Sequence, residues 1–389
     1  MLRIPVYQPS LTGNERKYVN DCLDSTWISS KGVYVSRFEN AFASFVGVKH
    51  ACTVNNGTAA LHLALLCLGI GHGDEVIVPT FTYVASVNAI TYTGATPVFV
   101  DSLMTSWQMD PNDIRKKLTT KTRAIMAVHI YGHPCEMDEL EKIVRENDLF
   151  LIEDCAEAFG SFYRDKHTGR FGDISTFSFF GNKTITTGEG GMIVTDSETL
   201  LERAHHYKGQ GLARNREYWH DVIGYNYRMT NVCAAIGLAQ LEQAESFLRK
   251  KKLVADWYRI ELKDLPVTFH EEVGEIIHSY WMCSILAEDS TTRDSLRNFL
   301  MRNGIETRPF FPPVHSMPMY ASDSQVFPVA NHLSCCGLNL PSYQGLSKQD
   351  VLAITSCITD FFDGENDKKK RKGPRHGAQS QGGLGGFKK

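Results

Sequence analysis

Leu149-Phe150-Leu151-Ile152-Glu153-Asp154-Cys155-Ala156-Glu157-Ala158 is the stretch that decides the fold. Its first four residues are apolar without alternation, so the strand they form needs cover on both faces, and carboxylates stand at its far end. A strand buried on both faces belongs to a parallel sheet clad in helices, and open sheets of that kind place ligands beyond the carboxyl ends of their strands. Working outward, further runs of the same character lie between residues 50 and 200: HACTV (50–54), EVIVP (75–79), TPVFVD (96–101), AIMAVHIY (124–131), ISTFSF (174–179) and GMIVTD (191–196). Helical stretches separate them. The alternation predicts an α/β large domain whose mostly parallel sheet is sandwiched by helices.

Before this region an irregular arm with Pro5, Pro9 and a turn at Thr12-Gly13 is followed by helical apolar spacing at 14–23 and 35–46. After it, residues 232–262 read as one long amphipathic helix of the kind that bridges a large domain to a smaller one. The segment 276–362, with SYWMCSIL as a strand, reads as a small α+β domain. The chain thus divides into an arm and large domain (1–250), a small C-terminal domain (251–362) and a tail (363–389). In the tail, Lys368-Lys369-Lys370-Arg371-Lys372 precedes a Gly/Gln/Ser-rich stretch that cannot bury a core, so it is expected to be disordered.

The 389 residues exceed what one hydrophobic core supports, which agrees with two packed domains. With 42% hydrophobic and 22% charged residues and a formal net charge of -3, nothing draws the chain toward nucleic acid or a membrane surface. No apolar stretch of about 20 residues predicts a membrane span, and the start MLRIPVYQPS lacks a secretory layout, so the cytoplasm is the expected compartment. The ten cysteines have no zinc-site spacing and read as buried thiols, with no metal expected. The basic run in the tail reads as a solvated end rather than a nucleic-acid or targeting signal.

Three junctions carry chemistry. Lys183 follows the apolar run Ile174-Ser175-Thr176-Phe177-Ser178-Phe179-Phe180 and precedes Gly188-Glu189-Gly190-Gly191. An amine in apolar surroundings shifts toward the neutral form that attacks carbonyls, although a lysine at a strand end can also be merely exposed. Asp154 ends its buried strand, where it could cap a helix or pair with a cationic ring nitrogen. Val54-Asn55-Asn56-Gly57-Thr58-Ala59 is a strand-turn-helix junction whose free amides suit a phosphate, with Ser178 as a further phosphate ligand and Tyr83 as a ring for stacking. Taken in order, phosphate turn, aromatic, strand-end Asp, Ser and Lys give the chain order of a fold-type I aminotransferase using pyridoxal 5'-phosphate.

On these residues, and on IPVYQPSLTGNE, TWISSKG, DEVIVPTFTYVASVNAI, EDCAEAFGS, FGDISTFSFFGNKTITTGEGGM, YWHDVIGYNYRMTN and RPFFPPVHSMPMY, the chain resembles the DegT/DnrJ/EryC1/StrS family of sugar-nucleotide aminotransferases over about residues 4–362. The resemblance implies that Lys183 is the Schiff-base lysine, Asp154 the pyridinium partner and Tyr83 the stacking ring, with Gly57, Thr58 and Ser178 on the phosphate. Glu157 stands where many members carry Gln beside the cofactor's phenolic oxygen. It implies a homodimer with shared sites, in which Asn226 of the GYNYR loop reaches the phosphate in the other subunit. Trp27, Ile28, Ser29, Ser30, Arg308 and His315 are the implied sugar-nucleotide contacts. The implied reaction moves the amino group of glutamate to the C4 keto group of GDP-4-keto-6-deoxymannose, with a UDP- or dTDP-linked keto sugar as the alternative. Members that dehydrate such sugars carry His at the Schiff-base position, so Lys183 implies amino transfer.

Overall fold

The computed structural model describes residues 4–272, 274–321 and 326–371, with side chains described as far as residue 365. Helices α1 (Glu15–Asp24) and α2 (Val33–Val46) precede the first strand, and α2 stops at Gly47, whose φ of 83° is the left-handed conformation that ends a helix. Strand β1 (His50–Val54) runs into α3 (Gly57–Cys67). Next come β2 (Glu75–Pro79), α4 (Val84–Tyr92), β3 (Thr96–Val100), α5 (Pro111–Lys117), β4 (Thr122–Val128) and α6 (Met137–Asn147). Strand β5 (Phe150–Asp154) is followed by a short hairpin, β6 (Phe162–Tyr163) and β7 (Lys166–His167), and then by β8 (Ile174–Ser178) and β9 (Gly191–Thr195).

The seven-stranded sheet has the order β1-β9-β8-β5-β4-β2-β3. Strands β3, β2, β4, β5 and β8 are parallel in register, and Val54, Val76, Ile77, Val78, Ile125, Ile152 and Ile174 are wholly buried between the helices. Burying such a side chain is worth about 1.5–3 kcal/mol, so the apolar runs stabilise the sheet from both faces. β9 departs from the parallel reading, because it pairs antiparallel with both β8 and β1. Only the segment Phe179–Gly190 joins β8 to β9, and it contains no helix to carry the chain back for a parallel pairing. That irregular segment carries Lys183.

Helix α7 (Glu198–Lys208) leads to a long loop and then to α8 (Asn231–Leu241) and α9 (Ala244–Glu261). The stretch expected as one helix is therefore two. The buried Gln240 donates its side-chain amide to Ser10 O at 2.8 Å and to Glu15 Oε1 at 2.6 Å, and Gln243 also reaches Glu15, which holds the chain in a turn at Glu242-Gln243. The expected division at 250/251 falls inside α9.

The remaining elements are β10 (Val267–Thr268), β11 (Ile276–Ile277), β12 (Cys283–Ala287), α10 (Ser290–Arg302), β13 (Arg308–Pro309), α11 (Pro328–Cys336), β14 (Gly337–Leu340) and α12 (Lys348–Arg371). A four-stranded sheet, β10-β12-β14-β13, packs against α9, α10 and α11, and α12 packs on α9 and α10. SYWMCSIL enters this sheet only at Cys283. Its first half bends at Tyr280 (φ 50°) and delivers Trp281 to the large domain. α12 buries Val351, Ile354, Ile358, Phe361 and Phe362 and continues to Arg371. The expected loss of order at Asp363 thus falls within a helix, and the rest of the tail, 372–389, lies outside the described residues. Among the described residues no helix is long and apolar enough to cross a membrane, and all ten cysteines are free thiols.

Candidate active site

The ends of β1, β5 and β8 open on one cavity of about 530 Å³. Its first wall is the start of α3. Asn56 leaves β1 in extended conformation and its side-chain oxygen accepts the Ala59 N–H at 2.8 Å, which caps the helix. The Gly57 and Thr58 amides remain without a protein acceptor among the described residues, and both residues line the cavity. Gly57 has to be glycine here: a Cβ would lie 2.8 Å from Ser178 Cβ and 3.0 Å from Ser178 Oγ. Two free amides at a helix start, a hydroxyl from the neighbouring strand and space that any Cβ would fill make a phosphate cradle. The donor set fits a phosphorylated cofactor.

At the floor, Asp154 is buried at the end of β5. It accepts Ser86 Oγ at 2.8 Å and the Ala156 N–H at 3.0 Å. Burial raises its pKa, opposed by the Ser86 and Ala156 hydrogen bonds and the positive charge of Lys183. A cation placed against this carboxylate would tip it to the ionised form. Tyr83, half exposed at the start of α4, overhangs the same cavity.

Lys183 projects into the cavity from the β8–β9 segment. Its Nζ lies 3.4 Å from Glu157 Oε1 and 3.9 Å from the centre of the Trp281 ring, so its surroundings are an anion and an indole rather than apolar side chains alone. Glu157 Oε2 also accepts the N–H of Tyr131, a residue held at φ 57°. Burial pushes the Glu157 carboxyl up, and the Lys183 charge and the Tyr131 N–H oppose this. The backbone around Lys183 is pinned from outside. Trp281 Nε1 donates to Asn182 O at 2.8 Å, Tyr7 Oη to Lys183 O, and Gln344 Nε2 to Thr184 O at 2.6 Å.

Gly57, Thr58, Tyr83, Asp154, Glu157, Ser178 and Lys183 therefore converge on one cavity. The other expected residues do not line it. Asn226 is exposed in the loop after α7, bridged through its backbone to Gly209. Trp27 and Ile28 are more than half exposed, and the loop through Ser29 and Ser30 is tied to α8, whose Asn231 donates to Trp27 O at 2.6 Å and Ser29 O at 2.9 Å. Arg308 is exposed and paired with Glu306 at 2.5 Å. His315 Nδ1 lies 2.7 Å from Thr80 Oγ1, with its ring against Phe327, and so braces the Pro-rich turn.

Several lining residues escaped the sequence reading. Ser86 had a signal, lying one helical turn after Tyr83 on the same helix face. Trp281, Tyr227 and His62 had none. His62 is buried, with Nδ1 3.1 Å from Tyr227 Oη and its other ring nitrogen unpartnered among the described residues. Elsewhere His129, Glu153 and Cys155 bring possible metal ligand atoms within 4.8 Å of one another. Glu153 already accepts the N–H groups of Gly169, Phe171 and Gly172 and the Ser175 hydroxyl, and His129 Nδ1 accepts the Cys135 N–H, so this cluster braces β4 against β5.

The chain is 61% identical over 362 residues to GDP-perosamine synthase of Escherichia coli O157:H7, covering 93% of this chain and 99% of that protein. It is 53% identical over 363 residues to GDP-perosamine synthase of Vibrio cholerae, covering 92% and 99%. Among solved structures, Spr1654 of Streptococcus pneumoniae in its PLP-form superposes with a TM-score of 0.88 at 27% identity, covering 93% and 99%. The Gly57-Thr58-Ser178 cradle, the carboxylate floor and the pinned lysine all lie within residues 9–359, which match the model of the DegT/DnrJ/EryC1/StrS aminotransferase family, and the chain belongs to that family.

Proposed function

We propose that the protein transfers the amino group of glutamate to the C4 keto carbon of GDP-4-keto-6-deoxymannose, giving GDP-perosamine and 2-oxoglutarate, with pyridoxal 5'-phosphate as cofactor. The observation that carries the reading is the placement of Lys183 in the cavity between Glu157 and Trp281, opposite the Gly57-Thr58-Ser178 cradle. The GDP-linked substrate is supported by the two GDP-perosamine synthases to which the chain is similar over almost its full length.

Gly57, Thr58 and Ser178 would hold the phosphate, Tyr83 would cover one ring face, Asp154 would face the ring nitrogen and Lys183 would anchor the aldehyde. When bound, the cofactor supplies an electron sink for the pair left behind as the donor's α-proton departs. Lys183 Nζ, once free, accepts that proton, and in the second half of the cycle the same amine delivers a proton to C4 of the sugar. Asp154, ionised beside a cation, holds negative charge at the floor, and its Ser86 and Ala156 hydrogen bonds fix its direction. Glu157 and Trp281 confine the lysine head to the space where both transfers occur. Lysine at this position can receive and return a proton in both directions, which suits amino transfer rather than dehydration.

A homodimer completes the reading. Asn226 is exposed and does not line its own cavity, and the loop that carries it exposes Tyr218, Trp219, Val222 and Ile223, an apolar surface suited to a second copy. Asn226 of the partner subunit would then reach the cradle. The free thiols and the lack of a membrane-crossing helix among the described residues are consistent with a cytoplasmic enzyme.

The test is to incubate the purified protein with cofactor, glutamate and each of the GDP-, UDP- and dTDP-linked 4-keto-6-deoxy sugars, and to identify the products by mass and NMR. An amino sugar from the GDP substrate is expected, lost in Lys183→Ala. Turnover of only a UDP- or dTDP-linked sugar would overturn the nucleotide assignment. No turnover with any sugar would overturn the reaction.

A further inference from the structure

Lys251 lies in the middle of α9 and is only 1% exposed, yet it has no carboxylate partner among the described residues. Its Nζ donates to two backbone carbonyls, Trp281 O at 3.0 Å and Ser342 O. Burial lowers its pKa to about 8, the expected response of an ammonium held without a counter-charge. A buried amine is costly, and nothing in the helix packing calls for one, since α9 buries apolar residues on either side at Phe247, Val254 and Ala255. The groups it touches supply the reason.

Three consecutive carbonyls, those of Asn182, Lys183 and Thr184, each accept one side-chain hydrogen bond, from Trp281, Tyr7 and Gln344 respectively. Those three donors come from distant parts of the chain, and Lys251 joins them. It holds Trp281 directly by its carbonyl. It holds Ser342, two residues before Gln344, in the same way. Ser342 in turn donates its N–H to Val6 O at 3.1 Å, which fixes the residue before Tyr7. The Trp281 ring is also the surface beneath Lys183 Nζ.

We infer that Lys251 is a positioning residue for amino transfer: it ties together the three side chains that clamp the backbone of Lys183 and so sets where the reacting amine stands. The inference rests on the reading of Lys183 proposed above. Lys251 touches neither the cavity nor any ligand, so it acts through Trp281, Tyr7 and Gln344. Its neutral and charged forms both carry the two N–H donors that the two carbonyls require.

The test compares wild type, Lys251→Met, which keeps the length and removes the donors, and Lys251→Gln, whose amide restores two N–H groups. Four quantities are read: kcat, KM for glutamate, the pH midpoint of the visible absorbance of bound cofactor, and the melting temperature of cofactor-free protein. In Lys251→Met, kcat should fall about tenfold or more with KM changed less than about twofold, since a misplaced reacting group costs rate more than binding. The absorbance midpoint should move, and Lys251→Gln should recover part of both effects. A folded Lys251→Met with wild-type kcat and an unmoved midpoint overturns the inference, as does a loss of kcat that follows the melting temperature alone and is not recovered by Gln. If Lys251→Met does not fold, Tyr7→Phe, which removes one clamp bond and leaves Lys251 intact, decides: lowered kcat with a moved midpoint supports the clamp, and wild-type values refute it. A wild-type protein without cofactor absorbance or turnover would instead sink the proposed function, so the two failures are distinct.

Discussion

Replacing Gly57 by alanine tests the phosphate cradle without touching any charge. The added Cβ would stand 2.8 Å from Ser178 Cβ, closer than real Cβ atoms approach, and 3.0 Å from Ser178 Oγ. Overpacking of one methyl against backbone-anchored neighbours costs about 1–3 kcal/mol. In cofactor-free protein the part of that strain that falls on Ser178 Oγ can relax, because the hydroxyl borders an open cavity of about 530 Å³ and can turn into it, whereas the Cβ contact cannot. With a phosphate in the cradle Ser178 has nowhere to turn. The part that had relaxed then appears in binding, so the affinity is weakened by at most about 5- to 150-fold, the equivalent of about 1–3 kcal/mol. Cofactor-free protein is titrated with pyridoxal phosphate and the dissociation constant read from visible absorbance, with melting temperature as a check on folding. Gly181→Ala is the control, since a Cβ there meets nothing within 4 Å, although Gly181 lies only two residues from Lys183. An unchanged dissociation constant for Gly57→Ala, or an equal loss in Gly181→Ala, would refute the placement of the phosphate.

Ser86→Ala removes the 2.8 Å hydrogen bond that opposes the burial of Asp154, so its carboxyl should hold its proton to higher pH. The acid limb of the kcat profile should therefore move to higher pH, and an unmoved limb would separate Asp154 ionisation from activity. Glu157→Gln keeps an acceptor for the Tyr131 N–H but cannot titrate. Because the Glu157 pKa is raised in the fold, its contribution to stability is present below the ordinary carboxylate range and is lost as pH rises through the folded value. Melting curves of the cofactor-free variant should consequently fall less with rising pH across that window than those of wild type. Truncation after Arg371 should leave amino transfer and melting temperature unchanged. Truncation after Phe362 should lower the melting temperature, since it removes the last turns of α12.

How much of this was legible in the sequence depended on how far apart the cooperating residues lie. The sheet was readable because each strand announces itself within about six residues, and Asp154, Ser178 and Gly57-Thr58 were readable because each sits at a strand end whose position the strand itself fixes. The antiparallel run of β9 was hidden, since its apolar pattern is the same in either direction and only the lack of a helix in the β8–β9 segment decides. The break between α8 and α9 was hidden for a different reason: it is set by the arm, through Gln240 and Gln243 on Glu15. The same limit governs the site. Lys183 stands out locally, but Trp281, Gln344 and Tyr7 lie 99, 160 and 176 residues from the backbone positions they hold. No spacing rule reaches that far. Such contacts need α9 to cross behind the site, and the mark it leaves in the sequence is one lysine in a run of four basic residues, of which Lys251 alone points inward. A basic run ordinarily reads as a solvated helix face, and here three of its members are that. The fourth differs in where it points and not in residue type, so the chemistry of a lysine-centred site was visible from the sequence while the means of aiming that lysine was visible only in three dimensions.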